Sequence, residues 1–423
     1  MLTDRPSSLR KTLTAMTAVL LGPGVAGAAD QTRIDTEILH YSEANRVTAT
    51  EALASVKRGL GPSYTLGLKL TYDGMTGPSP IGATPSSKVQ AFTRPSGRTT
   101  NVVQPGQTPL DGSFHDNRVA LDADISRLVG RFTTWTLGSH VSLEHDYSSL
   151  GVNGGVTRDL NAKNTTVGLS ASYSHDVTSP VGGYHSPFSA MPPPSAQRRK
   201  NGSGESKEIL DIVAGFIQIL DQRTIFRANY SYDRARGYLN DPYLLLSVVS
   251  PPDSADAGDA TAYLYESRPL TRNKSALYGE ILRDVHGAAL DLSYRHFWDD
   301  WGINSNTYDG SIQFRTRHRL GVQPHMRYYQ QSAASLYRAF LVQGAPLPQF
   351  ASADARLARF NALTYGVKIS LPVSPASDLT ISGEYYRQYG DSSPPGTFGT
   401  LRSYDLFPAI KALMLRIGYS HSL

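Results

Sequence analysis

Apolar and polar residues alternate along this chain with a period of two. From Ser63 to Asp73, Tyr64, Leu66, Leu68, Leu70 and Tyr72 form one set, and Thr65, Gly67, Lys69, Thr71 and Asp73 the other. Val119, Leu121, Ala123 and Ile125 alternate with Arg118, Asp122 and Asp124, and Trp135, Leu137, Val141, Leu143 and Tyr147 with Thr134, Thr136, His140, Ser142, Glu144 and Asp146. The pattern returns in 165–173, 226–232, 290–298, 365–371 and 379–385. Successive side chains of a strand point to opposite faces, so strict alternation predicts strands with one apolar and one polar face.

Strand length separates the two architectures that alternate in this way. Several runs reach 11 to 15 residues, where strands of soluble sandwiches average roughly 5–6 and tilted membrane strands need about 9–11 in the hydrocarbon alone. The apolar faces begin or end in aromatics (Tyr64 and Tyr72, Trp135 and Tyr147, Tyr173, Tyr230 and Tyr232, Tyr294 and Trp298), as interfacial girdles require. An open sheet edge in lipid would leave backbone groups unpaired, so the sheet must close. The prediction is all-β: a single transmembrane antiparallel up-and-down β-barrel.

Sixteen strands are expected, at 33–42, 46–57, 63–73, 116–127, 133–147, 152–160, 164–177, 207–219, 223–234, 270–283, 287–299, 305–317, 321–331, 361–373, 378–389 and 408–423. The strand at 152–160 and the hairpin at 43–45 carry the weakest pattern, and dropping a hairpin would give fourteen, which preserves parity. Residues 208–220 (EILDIVAGFIQIL) also fit a buried helix, but the Asp221-Gln222-Arg223 turn leading into an alternating run favours a strand. Even-numbered connections are short, whereas 74–115, 178–206, 235–269, 332–360 and 390–407 are long and hold much of the Pro and Gly. Short periplasmic turns and long outer loops are the rule for outer-membrane barrels.

The N-terminus adds a destination. Arg5, Arg10 and Lys11 precede an apolar stretch from Thr12 to Val25, followed by Ala26-Gly27-Ala28. The stretch is broken by Gly22-Pro23-Gly24 and falls short of the roughly 20 residues a spanning helix needs. Residues 1–29 therefore read as a signal peptide cleaved after Ala28 or Ala29, leaving the barrel as 30–423, delivered to the cell outer membrane. The first strand follows the cleavage site so closely that no TonB-box-and-plug domain is expected before the barrel. The last strand, Leu413 to Leu423, resembles the C-terminal signal read by the barrel assembly machinery, although it ends in Leu and has His421 at a usually apolar position. Outer-membrane lipid and that machinery are the expected partners.

Composition narrows the chemistry. There is no cysteine among the 423 residues, which excludes disulfides, thiol catalysis, thiolate–zinc sites and c-type haem attachment. Removing the first 29 residues leaves 38 basic against 35 acidic groups, with no basic block dense enough for nucleic acid. A mean hydropathy of −0.31 with 24 tyrosines suits a barrel in which only alternate residues meet lipid.

Certain stretches resemble a family of Gram-negative outer-membrane proteins known only as a domain of unknown function. They are Tyr72-Asp73 with GPSPIGA (Gly77–Ala83), GYLNDPY (Gly237–Tyr243, with Tyr238, Asn240, Asp241, Pro242 and Tyr243), Arg268-Pro269, and YRHFWDDWGI (Tyr294–Ile303). The resemblance runs over nearly the whole mature chain and implies a porin-like barrel of unestablished activity. It also implies partnership with periplasmic flavin-transfer and thioredoxin-like redox proteins.

No catalytic, cofactor or metal site is expected. Asp299 and Asp300 could hold a cation at the barrel rim; the reading preferred is that Trp298 and Trp301 anchor the membrane interface while the two aspartates are solvated in an outer turn. Asn240-Asp241-Pro242 reads as turn chemistry rather than a ligand loop. The candidate lumen charges are Lys69, Arg118, Asp122, Asp124, Glu144, Arg227, Asp291, Arg295, Glu384 and Arg416. They fit a polar conduit for small solutes whose charges tune selectivity; equally, they fit a salt-bridged lumen plugged by the 42-residue loop 74–115, the barrel then serving as scaffold or receptor. A membrane-embedded hydrolase is the third class. His140 and Glu144, with Ser142 between them, are the nearest approach to its machinery, and no serine elbow or HExxH occurs.

Overall fold

The computed structural model describes residues 31–193, 204–316 and 320–423; the expected signal peptide lies outside them. Sixteen antiparallel strands close into one barrel, each paired with its sequence neighbour among the barrel strands. They are β1 (Thr32–Glu43), β2 (Thr48–Leu60), β3 (Tyr64–Thr76), β4 (His115–Val129), β5 (Thr133–Glu144), β6 (Tyr147–Leu160), β7 (Thr165–Thr178), β8 (Glu205–Asp221), β9 (Thr224–Gly237), β10 (Thr271–Val285), β11 (Ala288–Asp299), β12 (Asn304–Arg315), β13 (Gly321–Gln331), β14 (Phe360–Ser374), β15 (Ser377–Gly390) and β16 (Ile410–Ser422). β1 closes on β16 from Arg33↔Ser422 to Glu43↔Ala412. Strand number and loop order follow the expectation from periodicity, including the strand at 208–220, whose outward Leu210, Ile212 and Phe216 alternate with inward Ile209, Asp211 and Val213.

Several strand ends moved by a few residues, and one shift reaches the girdle. The fifth strand was expected to run to 147, but a turn at His145-Asp146 ends it at Glu144 and pairs Leu143 with Ser148. A two-residue turn resets which parity faces out, so Tyr147 points inward, donating to Asp176 and lying under Lys207. It is not an aromatic of the outer face. The exterior is otherwise apolar as expected: Tyr64, Tyr72, Trp135, Tyr173, Tyr230 and Tyr294 are all exposed, and Leu137 is 65% exposed.

The deepest burial is not in the barrel. The most completely buried side chains, among them Leu246, Val249, Leu401, Asp259 and Ser352, all belong to the long connections. Residues 77–114, 179–193, 238–270, 332–359 and 391–409 meet over one end of the barrel and form a cap. Its backbone groups pair in a three-stranded sheet (260–265, 245–249 and 341–342) and two small hairpins. One apolar cluster joins Leu239, Trp301, Ile303, Leu336 and Leu357 to Ile209 and Ala235 at the strand ends; a second joins Ile81, Phe92, Val103, Leu245 and Tyr265. At roughly 1.5–3 kcal/mol for each large apolar side chain fully buried, these clusters are enough to hold loops together that the sheet alone would leave loose.

Candidate functional site

The stretches singled out in the sequence converge on the cap. Leu245 N donates to Ile81 O at 2.8 Å and Thr84 N to Ser247 Oγ at 3.0 Å, tying GPSPIGA and the residue after it to the segment after GYLNDPY. Gly237 has φ +122°, and a Cβ there would run into the Ser206 carbonyl, so only glycine lets β9 turn beneath β8 into the cap. Asp241 Oδ1 then accepts from Tyr243 N at 3.1 Å in the expected Asx turn about Pro242. Asn240 accepts from Arg268 N at 2.7 Å, Tyr243 donates its hydroxyl to Asp146, and Tyr238 stands edge-on to Tyr184.

At the centre lies a charge network of which the sequence reading had only Asp241 and the Arg268-Pro269 stretch. Arg268 Nε is 2.7 Å from Glu266 and its Nη2 is 2.9 Å from Asp354; the Arg268 and Glu266 side chains are 2% and 1% exposed. Arg356 bridges Asp354 at 2.6 Å and Asp241 at 3.2 Å. Ser352 donates to Glu266 and accepts from Asp354 N. Burial pushes the Glu266 carboxyl up to about 7, against the pull of Arg268. Burial also raises Asp354, but Arg356 and Arg268 outweigh it and hold that carboxyl at about 2. A second hub, Asp259, accepts from Ser86, Ser87 and Thr400 and thereby links three loops.

The rim motif reads differently from the expectation. Trp301 is no interface anchor: it is 2% exposed inside the cap, donates Nε1 to Thr271 O at 2.9 Å, and has the Arg272 guanidinium 4.4 Å from its ring centroid. Asp299 is not solvated either, because its buried carboxylate pairs with Arg272 at 2.6 Å and accepts from Ile303 N at 2.8 Å. Asp300 does lie at the surface, bound to Asn273 at 2.6 and 3.0 Å, and Trp298 remains on the outer face beside Tyr230. Gly302 and Ile303 turn the chain inward, and with it Trp301.

All ten candidate lumen charges stand on the inward face, and most find partners there. Lys69 and His140 share Asp122 at 2.9 and 2.6 Å; Arg118 pairs with Asp73, with Glu51 at 4.0 Å; Arg227 meets Glu280 at 3.0 Å and Arg416 meets Glu37 at 3.0 Å. Asp124 lies over Gly67, and Glu144 is in register with Arg118. Glu384 accepts from His325, which also reaches Asp309 at 3.1 Å, itself 2.5 Å from Arg327. His325, Asp309 and Arg327 were not singled out from the sequence, although alternation along β12 and β13 places all three inward. His140 turns to Asp122 rather than to Glu144 or Ser142, so the one hydrolase-like trio is not assembled.

Between cap and wall lies a chamber of about 1250 Å³. Asp291, Arg295, His325, Glu384 and Arg416 line it from the strands, and Thr84, Leu244, Arg268, Asp354 and Leu357 from the cap. The 42-residue loop alone is therefore no plug; the connections 77–114, 238–270, 332–359 and 391–409 all contribute to the chamber's lining. Among the described residues no group of His, Asp and Glu is arranged to hold a metal ion.

A family model matches residues 11–421, almost the length of the chain. The chain belongs to the family described as Protein of unknown function (DUF3570). No curated protein matches it in sequence. Among solved structures it is similar to the CymD monoaromatic hydrocarbon channel (11% identity over 96% of this chain and 92% of that one, TM-score 0.40). It is also similar to a bacterial polysaccharide outer membrane secretin (8% identity, 94% and 99%, TM-score 0.46). Against the ferric enterobactin receptor PfeA of Pseudomonas aeruginosa (9% identity, TM-score 0.43), 86% of this chain is matched to 54% of that one, so the chain spans about half that receptor's length.

Proposed function

We propose that this member of the family is an outer-membrane barrel whose lumen is a conduit for small polar solutes, closed from the loop side by the cap. A cylinder with Leu137, Leu169 and Leu413 exposed around its outside and ion pairs within is inverted relative to a water-soluble fold. The observation that carries the conduit is the chamber, whose wall is shared between inward strand charges and cap residues. A solute entering from the loop side must displace the cap, so the resting state is closed and opening is a loop rearrangement. The export signal at residues 1–29 would deliver the chain to that membrane.

Two measurements test this. Leu137→Arg puts a charge on the outer band, at an expected cost of about 2–4 kcal/mol near mid-membrane; heat-modifiable barrel should fall sharply in membranes, while the same change at the loop residue Leu347 should leave it intact. Planar bilayers should show discrete current steps with long closed periods. Unbroken silence under all voltages, with folded protein inserted, would favour the second reading, a receptor or scaffold for periplasmic redox or surface partners, which the cap's own packed core also supports.

A further inference from the structure

Most cations of the lumen wall are already neutralised; among the described residues Lys368 lines the chamber without an ion pair but stays exposed, whereas Arg295 is both unpaired and largely covered. Arg272, Arg327 and Arg227 each face a carboxylate within 3.0 Å. Arg295, on β11 between them, makes no ion pair or hydrogen bond among the described residues, and its Nε and Nη2 are shut away from solvent. Its near neighbour is the Phe297 ring, 5.8 Å away. Asp291, the next inward charge along the strand, is four residues off, about 13 Å at the rise of a strand. A guanidinium removed from water without an anion is costly to the fold, and the chamber that Arg295 lines is large enough to supply one.

We propose that Arg295 anchors a binding site for a small organic carboxylate carrying an apolar or aromatic body. This rests on the conduit reading and names its solute class. A guanidinium donates charge-assisted hydrogen bonds to a carboxylate that are stronger than those between neutral groups. Thr307, in register with Arg295, and Tyr329, in register with Thr307, bring hydroxyls to the same wall. Above them, Phe297 packs against the apolar cluster that includes Ile303 and Leu357, and Tyr329 lies 5.5 Å from Phe360, giving an apolar surface on the cap side of the cation. Charge below and hydrocarbon above fit an anion with a body better than a bare inorganic one.

The test is calorimetric titration of the full-length protein in detergent with sodium benzoate, acetate, inorganic phosphate and benzyl alcohol. Benzoate should bind saturably, acetate about tenfold or more weakly, and phosphate and benzyl alcohol not measurably. Arg295→Gln should weaken benzoate about 10- to 100-fold, while Lys163→Gln, in the short Asn161–Lys163 turn, should leave it unchanged. Arg295→Met without ligand should unfold at a temperature no lower than the parent, since it removes an uncompensated charge, so lost binding cannot be put down to misfolding. Benzoate binding undiminished in Arg295→Gln, or phosphate or benzyl alcohol binding as well as benzoate, overturns the site. Currents without benzoate binding would sink the site and leave the conduit; benzoate held by Arg295 in a silent barrel would keep the site and remove the conduit.

Discussion

Arg268→Met should unlatch the cap while leaving the barrel folded. The substitution withdraws the guanidinium from between Glu266 at 2.7 Å and Asp354 at 2.9 Å, and breaking a buried pair by removing one partner costs about 3–5 kcal/mol because the other charge stays behind. Heat-modifiable migration should persist, since the strand ladder is untouched. Protease should cut within 238–270 and 332–359, where the parent resists, and open time in bilayers should rise by more than tenfold. Adding Glu266→Leu should recover part of the loss, because replacing both partners with apolar groups leaves no orphan charge. Cleavage and gating equal to the parent would remove the network from any role in closure.

The second large effect is on pH. Glu266 titrates at about 7 in the closed cap against 4.5 as an ordinary carboxyl. Between those values the closed form binds the extra proton, so raising pH through that window favours opening, by on the order of 3 kcal/mol in all. Asp354, at about 2 against 3.8, acts the other way: its contribution is present above 3.8 and is lost as pH falls towards 2. The groups facing this pair are Asp241, Arg268 and Arg356, so cap closure should be firmest at about pH 4 and weaken on both sides. Open probability between pH 4.5 and 7.5 measures it. Glu266→Gln should flatten the alkaline limb, and a limb unchanged in that variant would assign the dependence elsewhere.

What could be read from the sequence follows from periodicity. Each strand carries its own evidence, because lipid and lumen impose opposite demands on neighbouring residues, and even Glu208–Leu220 could be placed by the turn that follows it. The Tyr147 error shows how local that evidence is: nothing in the alternation of 133–147 announced a turn at His145-Asp146, since a polar inward position and a turn residue look alike. The cap left motifs in the sequence but no period that could assemble them. Glu266, Arg268, Asp354 and Arg356 lie in segments with no period, and their proximity is set by two connections far apart in sequence. Trp301 was misread for the same reason, as an interfacial aromatic, when the turn at Gly302 carries it into a core made by other loops.

That the chain's water-excluding core sits in the cap has a consequence for how it matures. Leu246 lies in the connection after β9, and Leu341 and Ala351 lie in the one after β13, so this core joins segments that β10 to β13 must first bring together. The last piece to assemble is also the one made of ordinary globular contacts. Urea should strip it at concentrations that leave the ladder standing, giving a stable hollow cylinder with loose ends as the intermediate in both directions.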